Sequence, residues 1–269
     1  MQSAKLKEVA RQIRRDIIIM SGRANASHSG SALSAVEILV ALYFDVMRID
    51  PRRPDWALRD RFLLSKGHAG AVLYATLAER GFFSKKKLDQ FCLGANLTTH
   101  PTRFSAPGVE VATGSLGHGL PMGVGMALAA RMDRKAWRTY VLLSDGECDE
   151  GSVWESILFA GFHKLDNLTV IIDYNKIQSF GRTADVLDLE PLKQKFEAFR
   201  WNVSEVDGHD FEEIRDALGK AKKTQGKPQC IIAHTVKGKG VSYMEDKLEW
   251  HYRSPTGELG EQALKELRD

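Results

Sequence analysis

The chain has 269 residues and a formal net charge of +3 at pH 7. Its lysines and arginines are mixed with acidic residues and form no basic stripe, which argues against a nucleic-acid partner. No apolar run reaches the roughly 18 residues that a membrane span needs, and the charged N-terminal stretch lacks the features of a signal peptide.

The cysteines indicate the redox environment. There are three of them, Cys92, Cys148 and Cys230, and they are far apart with no C-x-x-C pair. This sparse, odd set argues against a disulfide framework or a zinc site. A cytoplasmic protein is therefore the expectation.

The first third of the chain is predicted to be mainly helical. An apolar stripe with helical spacing predicts a helix over residues 4–22, and its members are Leu6, Val9, Ile13 and Ile17. A loop of small residues that carries His28 is predicted next, followed by a helix at 34–47. The stretch RFLLSKGHAG then predicts a short buried strand, a loop with His68, and a further helix.

The remainder alternates strands and helices. A long loop leads into a Gly- and Ala-rich helix, and four apolar stretches are predicted strands: TYVLLSD, NLTVIIDYN, WNVSEVD and PQCIIAHT. Helices are predicted at 151–163, 190–199 and 210–222, and in the closing GELGEQALKELRD. This alternation predicts an α/β fold in one domain, 1–269, with a mostly parallel sheet and helices on both faces.

Polar residues follow two of the predicted strands. Asp145 ends TYVLLSD and Asn175 ends NLTVIIDYN, and a right-handed crossover brings such strand ends close together. With phosphate oxygens and water, their oxygens would complete an octahedron around Mg²⁺ at the edge where parallel sheets bind ligands. Gly146 would let the backbone approach a bulky group. In the alternative interpretation, Asp145 caps the following helix and Asn175 closes a turn.

Longer motifs point to one family. The run DGECDEGSVWESILFAGFHKLDNLTVIIDYN resembles the thiamine-diphosphate motif, which opens with Gly-Asp-Gly and closes near Asn-Asn or Tyr-Asn. Other stretches are similar to transketolases and stand in the same order: SHSGSALSA, LSKGHAGAVLYA, THP, PGVEVATGSLGHGL and VKGKGVSYMEDKLEWHYRSP. The resemblance spans residues 10–255.

The resemblance to transketolases implies roles for individual residues. The metal, Mg²⁺ or another divalent cation such as Ca²⁺ or Mn²⁺, would be held by Asp145, Asn175 and the main-chain carbonyl of Ile177. Thiamine diphosphate would be contacted by His68, Gly114, Leu116, Gly146, Glu150 and His251, with Glu150 also at the interface between subunits. The channel above the thiazolium ring would be lined by the catalytic His28, His100 and His251.

Four positions depart from the family pattern. Ser144 replaces the first glycine of the motif, and Ser29 follows His28 where proline is usual. His118 stands where glutamine is common and is given no catalytic role, and Tyr252 follows His251 in place of glycine.

The resemblance also implies a partner. Transketolases activate the cofactor with a glutamate from a pyrimidine-binding domain, and only one short predicted helix follows HYRSP here. The chain is therefore expected to be the N-terminal, diphosphate-binding subunit of a split transketolase. Its partner would carry the pyrimidine-binding domain, with two copies of each chain in a heterotetramer. This assembly would transfer a two-carbon ketol unit from a ketose or ketose phosphate to an aldose.

Three alternatives stay open. One is the α subunit of a 2-oxo acid dehydrogenase, against which SKGHA and PGVEVATGSLG favour transketolase. Another is a biosynthetic carboligase that acts on an unusual donor. The third is a non-catalytic cofactor-binding subunit, which the presence of Asp145, Asn175 and the histidines opposes.

Overall fold

A parallel sheet at the centre of the protein brings the candidate site together. The computed structural model describes residues 2–94 and 96–268. Within this part of the chain the sheet has five strands in the order β1-β2-β3-β5-β4, and each pairing is parallel. The strands are β1 Arg61–Leu64, β2 Thr139–Ser144, β3 Leu168–Tyr174, β4 Asn202–Asp207 and β5 Gln229–His234. Their carboxyl ends share one edge, and the α/β prediction is confirmed.

Helices connect the strands and cover the sheet. They are α1 Ser3–Ala24, α2 Ser29–Leu33, α3 Val36–Ala41, α4 Gly70–Arg80, α5 Gly119–Met132, α6 Gly151–Phe162, α7 Thr183–Val186, α8 Leu192–Ala198, α9 Phe211–Lys223 and α10 Gly257–Glu266. Short 3₁₀ turns occur at Gly67–Ala69, Lys85–Gln90, Gly146–Asp149 and Leu248–His251.

Each face of the sheet buries its own apolar core, because successive strand side chains point to opposite faces. In β2, Leu142 belongs to the core under α1, α3, α4 and α9, whereas Val141 and Leu143 belong to the core under α5, α6 and α8. All seven residues of β3 are buried. The helices on both faces match the arrangement that the apolar strands predicted.

The loop predicted around His28 is partly wrong, because Ser29–Leu33 forms α2. Every residue of α2 is buried. A Cβ added at Gly30 would lie 3.1 Å from the carbonyl oxygen of Trp250. The small residues therefore permit close helix packing here rather than marking a loop. The helix predicted at 34–47 is α3, continued by a wider π-helical turn at Leu42–Val46.

The helices are too short or too polar to span a membrane. Across residues 2–94 and 96–268, no helix combines the length and the apolarity that crossing a bilayer requires.

Candidate active site

A cavity of about 400 Å³ opens at the carboxyl edge of the sheet. Nine of the predicted site residues line it: His28, His68, His100, Leu116, Asp145, Gly146, Asn175, Ile177 and His251. These residues come from seven separate stretches of sequence, so the fold gathers them at one place.

The other two predicted residues lie beside the cavity. Gly114 supports His100, because a Cβ at Gly114 would lie 2.9 Å from Cδ2 of that ring. The backbone of Gly114 has a φ of +138°, which side chains rarely adopt, so glycine is required there. Glu150 is exposed at the start of α6. Its contact with a cofactor and a neighbouring subunit stays a prediction.

Asp145 and Asn175 lie where β2 and β3 end side by side, since Ser144 pairs with Asp173 in the register. The Asp145 carboxylate accepts hydrogen bonds from the backbone N–H of Gly146 at 2.8 Å and of Lys176 at 2.5 Å. The first of these bonds caps the 3₁₀ turn, as the alternative interpretation expected. Each oxygen keeps a further lone pair, so the capping role and a ligand role are compatible.

The buried carboxylate of Asp145 is suited to bind a cation. The residue is only 1% exposed, and burial, together with the charge of Asp173, raises the pKa of its carboxyl to about 6. Asp173 is itself paired with the buried Lys66, whereas no described residue forms an ion pair with Asp145. A divalent cation next to Asp145 would offset the cost of burying its charge.

The oxygens near Asp145 suit a hard cation. Asn175 Oδ1 accepts the N–H of Ile177 at 3.2 Å, and the Ile177 carbonyl accepts from Lys237 Nζ at 3.0 Å. Over residues 2–94 and 96–268, no cluster of three or more His, Cys, Asp or Glu side chains could hold a metal by itself. A metal at this edge would therefore need amide, main-chain or phosphate oxygens as well as the carboxylate.

Four histidine rings form a cluster above Asp145. The ring of His68 meets that of His100 edge-on with centroids 4.4 Å apart, and His28 lies 5.0 Å from His68 and 5.1 Å from His251. Burial and the neighbouring cationic groups lower the pKa of His28 to about 4 and that of His251 to about 3. These two rings are neutral at pH 7, so each offers one N–H donor and one acceptor nitrogen.

His68, which the resemblance places against the diphosphate, has a shifted ionisation. Burial, followed by the charge of His100, lowers the pKa of His68. A neutral imidazole still donates one N–H to a phosphate oxygen. A bound diphosphate would raise the pKa again, because a nearby negative charge favours the protonated ring.

Two buried lysines, Lys66 in the lining of the cavity and Lys237 close to it, received no role from sequence reasoning. Lys66 pairs with Asp173 and donates to the carbonyl of Ser31 at 2.9 Å. Lys237 Nζ lies 2.8 Å from Nδ1 of His251. Because an ammonium group only donates, Nδ1 is the acceptor and the His251 proton sits on Nε2. Both lysines lie within quoted motifs, SKGHA and VKGKG, which was the available signal.

Tyr252, noted as a departure from the family, also lines the cavity. Its ring is mostly exposed and lies edge-on to His28, with centroids 6.1 Å apart. An aromatic residue at this position narrows the opening beside the histidine cluster.

Comparison with known proteins identifies this arrangement. The family model described as "Transketolase, thiamine diphosphate binding domain" matches residues 5–269. The chain belongs to the transketolase family. The site described above lies inside the matched region, and thiamine diphosphate is the cofactor of that domain.

Some curated transketolase relatives match the chain over nearly their whole length, and others over less than half of it. One apulose-4-phosphate transketolase subunit, from Phocaeicola vulgatus, is 44% identical over 270 residues, covering 100% of this chain and 96% of the relative. The 6-deoxy-6-sulfo-D-fructose transketolase subunit SqwG of Clostridium sp. is 44% identical and covers 99% and 97%. Human transketolase is 40% identical over 97% of this chain, which spans only 42% of that protein.

Solved transketolases have the same fold. The transketolase of Campylobacter jejuni superposes with a TM-score of 0.92 at 36% identity, covering 100% of this chain and 43% of that structure. The transketolase of Leishmania mexicana gives 0.91 at 34% identity. The chain thus corresponds to the N-terminal, thiamine-diphosphate-binding part of a transketolase, the part that the Phocaeicola and Clostridium relatives carry as a separate chain.

Proposed function

We propose that this chain is the diphosphate-binding half of a two-chain transketolase that transfers a two-carbon ketol unit from a ketose to an aldose. The proposal rests on the cavity itself, where nine residues chosen by motif come together. One of the nine is Asp145, a buried carboxylate that forms no ion pair with any described residue. Relatives of nearly the same length are named as transketolase subunits, which supports a second chain.

The proposed metal site consists of Asp145, Asn175 and the carbonyl of Ile177, with Mg²⁺ as the expected ion. Gly146 lies at its border and has no room for a side chain, since a Cβ there would lie 2.7 Å from Gln178. Lys237 donates to the Ile177 carbonyl, so the cation and the lysine would share the lone pairs of that oxygen.

When bound, thiamine diphosphate supplies the electron sink that carries the two-carbon unit between sugars. The histidine cluster would act on the sugar. His28 and His100 are expected to hydrogen-bond substrate hydroxyls and to shuttle protons, roles that imidazole side chains commonly have in enzymes. The Nε2–H of His251, fixed by Lys237, is available as a donor.

The proposed partner would pack on α5 and α6. These helices expose apolar side chains that are unusual for a solvent face, and α6 contributes Leu158, Phe159 and Phe162, the last 67% exposed. On α5 the exposed positions include Pro121, Gly125 and Ala129, which are small enough for close approach. Apolar faces of this kind mark protein–protein contacts. Two copies of each chain is the proposed assembly.

The proposed substrate is a class of sugar and not one named compound. The two bacterial relatives act by their names on apulose 4-phosphate and on a sulfonated fructose, so this group of transketolases uses varied sugars. We propose a ketose or ketose phosphate donor with hydroxyls that reach the histidine cluster. Membership of the transketolase family favours this reaction over 2-oxo acid decarboxylation.

The deciding experiment compares the chain alone with the chain plus a pyrimidine-domain chain of a two-chain transketolase. Thiamine diphosphate and Mg²⁺ are added to both samples, and ketol transfer is followed with a panel of ketoses. Turnover is expected only in the mixture, in a complex that elutes together from gel filtration. Turnover that follows the single chain through the column would refute the two-chain proposal, and decarboxylation of 2-oxo acids would refute the reaction.

A further inference from the structure

Glu147 joins three segments that border the cavity. It follows Asp145 in the 3₁₀ turn, and its side chain is 0% exposed. Its Oε1 accepts from the Ser65 hydroxyl at 2.5 Å and from the N–H of Gly117 at 2.9 Å, while Oε2 accepts from the N–H of Ser144 at 3.4 Å. The carboxylate thus connects the end of β1, the loop before α5 and the end of β2.

Burying the carboxylate of Glu147 costs free energy, and its hydrogen bonds must offset that cost. Burial raises the pKa of Glu147, since the charged form loses its hydration. Within the described part of the chain it has no ion-pair partner. A leucine would fill a similar volume without that cost, but would leave the Gly117 N–H and the Ser65 hydroxyl without their acceptor.

The segment that Glu147 holds forms one wall of the cavity. Gly117 has a φ of +79°, and a Cβ at Gly119 would lie 2.3 Å from the Ser65 hydroxyl, so the loop is pressed against the end of β1. Leu116, next to Gly117, lines the cavity. Gly114, three residues earlier, backs the ring of His100. A shift of this loop would therefore move both Leu116 and His100.

We propose that Glu147 is a positioning residue that fixes the 113–117 segment, and through it Leu116 and His100, for binding of the thiamine ring system. Glu147 does not line the cavity itself, and both of its oxygens are engaged by donors from the protein. It therefore acts through Gly117 and Ser65 rather than by touching a ligand. That the ligand is thiamine diphosphate rests on the proposed function. That Glu147 fixes the 113–117 segment does not depend on it.

Two variants separate the carboxylate's hydrogen bonds from its volume. Glu147→Gln keeps an oxygen at Oε1, which carries the two shorter bonds, whereas Glu147→Leu removes every acceptor. Hydrogen exchange of the 113–119 amides, measured by mass spectrometry on the ligand-free chain, is expected to be about tenfold faster in E147L and near wild type in E147Q. Thiamine diphosphate affinity of the assembled enzyme with Mg²⁺ should fall about tenfold in E147L and less than about threefold in E147Q.

Asp60 provides a matched control. It is also a buried carboxylate that joins backbone donors, from Arg48 at 2.8 Å and Arg138 at 2.9 Å, but it precedes β1 at the opposite edge of the sheet. Asp60→Leu is expected to lower thermal stability without changing exchange over 113–119 or cofactor affinity. If E147L does not fold, Glu147→Met makes the same test with a flexible side chain.

The outcomes distinguish the two proposals. Unchanged exchange over 113–119 in the leucine or methionine variant overturns the positioning role, as does unchanged cofactor affinity in an enzyme that binds thiamine diphosphate. Equal losses in E147Q and E147L also overturn it, because the Oε1 acceptor would then be irrelevant. If the wild-type assembly does not bind thiamine diphosphate, the proposed function fails, and the exchange data still decide whether Glu147 holds the loop.

Discussion

The carboxylate of Asp145 accepts a hydrogen bond from the backbone N–H of Lys176, with the two atoms 2.5 Å apart. The bond ties the turn after β2 to the turn after β3, in which Asn175 and Ile177 lie. The negative charge is therefore held inside the sheet edge, facing the oxygens expected to share a cation with it.

Replacing Asp145 or Asn175 by alanine should abolish Mg²⁺-dependent binding of thiamine diphosphate, because each change removes a hard oxygen ligand. Calorimetry on the assembled enzyme, with and without Mg²⁺, measures the effect. Asp149→Asn is the control, since Asp149 lies in the same 3₁₀ turn but bonds to Gln178 at 3.2 Å and does not line the cavity. Wild-type affinity in both alanine variants would exclude this metal site.

Replacing His100 by alanine should reduce turnover more than cofactor affinity, because its ring faces the place expected for the reacting sugar. Loss of a proton-transfer group costs about 10²–10⁴-fold in rate. Steady-state kinetics at saturating cofactor, beside a cofactor titration, separate the two quantities. His118→Ala is the control, since His118 is exposed and bonds to the Leu116 carbonyl at 3.1 Å. Normal turnover with lost cofactor binding would show that His100 is wrongly assigned.

Acid should destabilise the fold through Glu37, which joins α3 to Arg14 of α1 by bonds of 2.6 and 2.7 Å. Burial acts to raise the pKa of Glu37, but Arg14 and His209 outweigh it and lower the pKa to about 2. The folded pKa lies below the ordinary 4.5, so this stabilisation is complete above about pH 4.5 and is lost as the pH falls towards 2. It amounts to about 3 kcal/mol.

Urea unfolding of Glu37→Gln and wild type between pH 7 and pH 3 tests this linkage. The variant should be less stable at pH 7, and the difference should shrink on acidification. Asp89→Asn is the control, because its ion pair with Arg23 is largely exposed and contributes little. A difference between E37Q and wild type that is constant with pH would contradict the assignment.

Gly125→Glu should weaken association with the partner chain without destabilising this one. Outside its own helix, a Cβ at Gly125 has no neighbour within 4 Å, so the side chain fits the isolated fold. At an interface of closely packed helices, the added carboxylate would be buried without a partner. Thermal unfolding of the single chain and gel filtration of the mixture measure the two effects.

Gly219→Glu is the matched control for that surface, because Gly219 lies in α9 and also has no neighbour within 4 Å. Association should persist in this variant. Undiminished binding in G125E would mean that the partner docks elsewhere.

The sequence by itself determined the architecture. Apolar strands alternating with helices predict a parallel sheet, and in such a sheet Asp145 and Asn175 must end up at the same edge. The structure has both features. These conclusions follow from local patterns. A run of apolar residues indicates a buried strand, and the polar residue that ends it is its immediate neighbour in the sequence.

Only the tertiary structure decided how the site is charged and supported. The buried Lys66 pairs with Asp173, 107 residues away, and Glu147 reaches Ser65 across 82 residues. The low pKa values of His28 and His251 arise from burial and from Lys237 and the other rings. Helix α2 was missed because its small residues are helical only against the surfaces that bury them. Desolvation and packing depend on groups distant in sequence, and no pattern of consecutive residues records them.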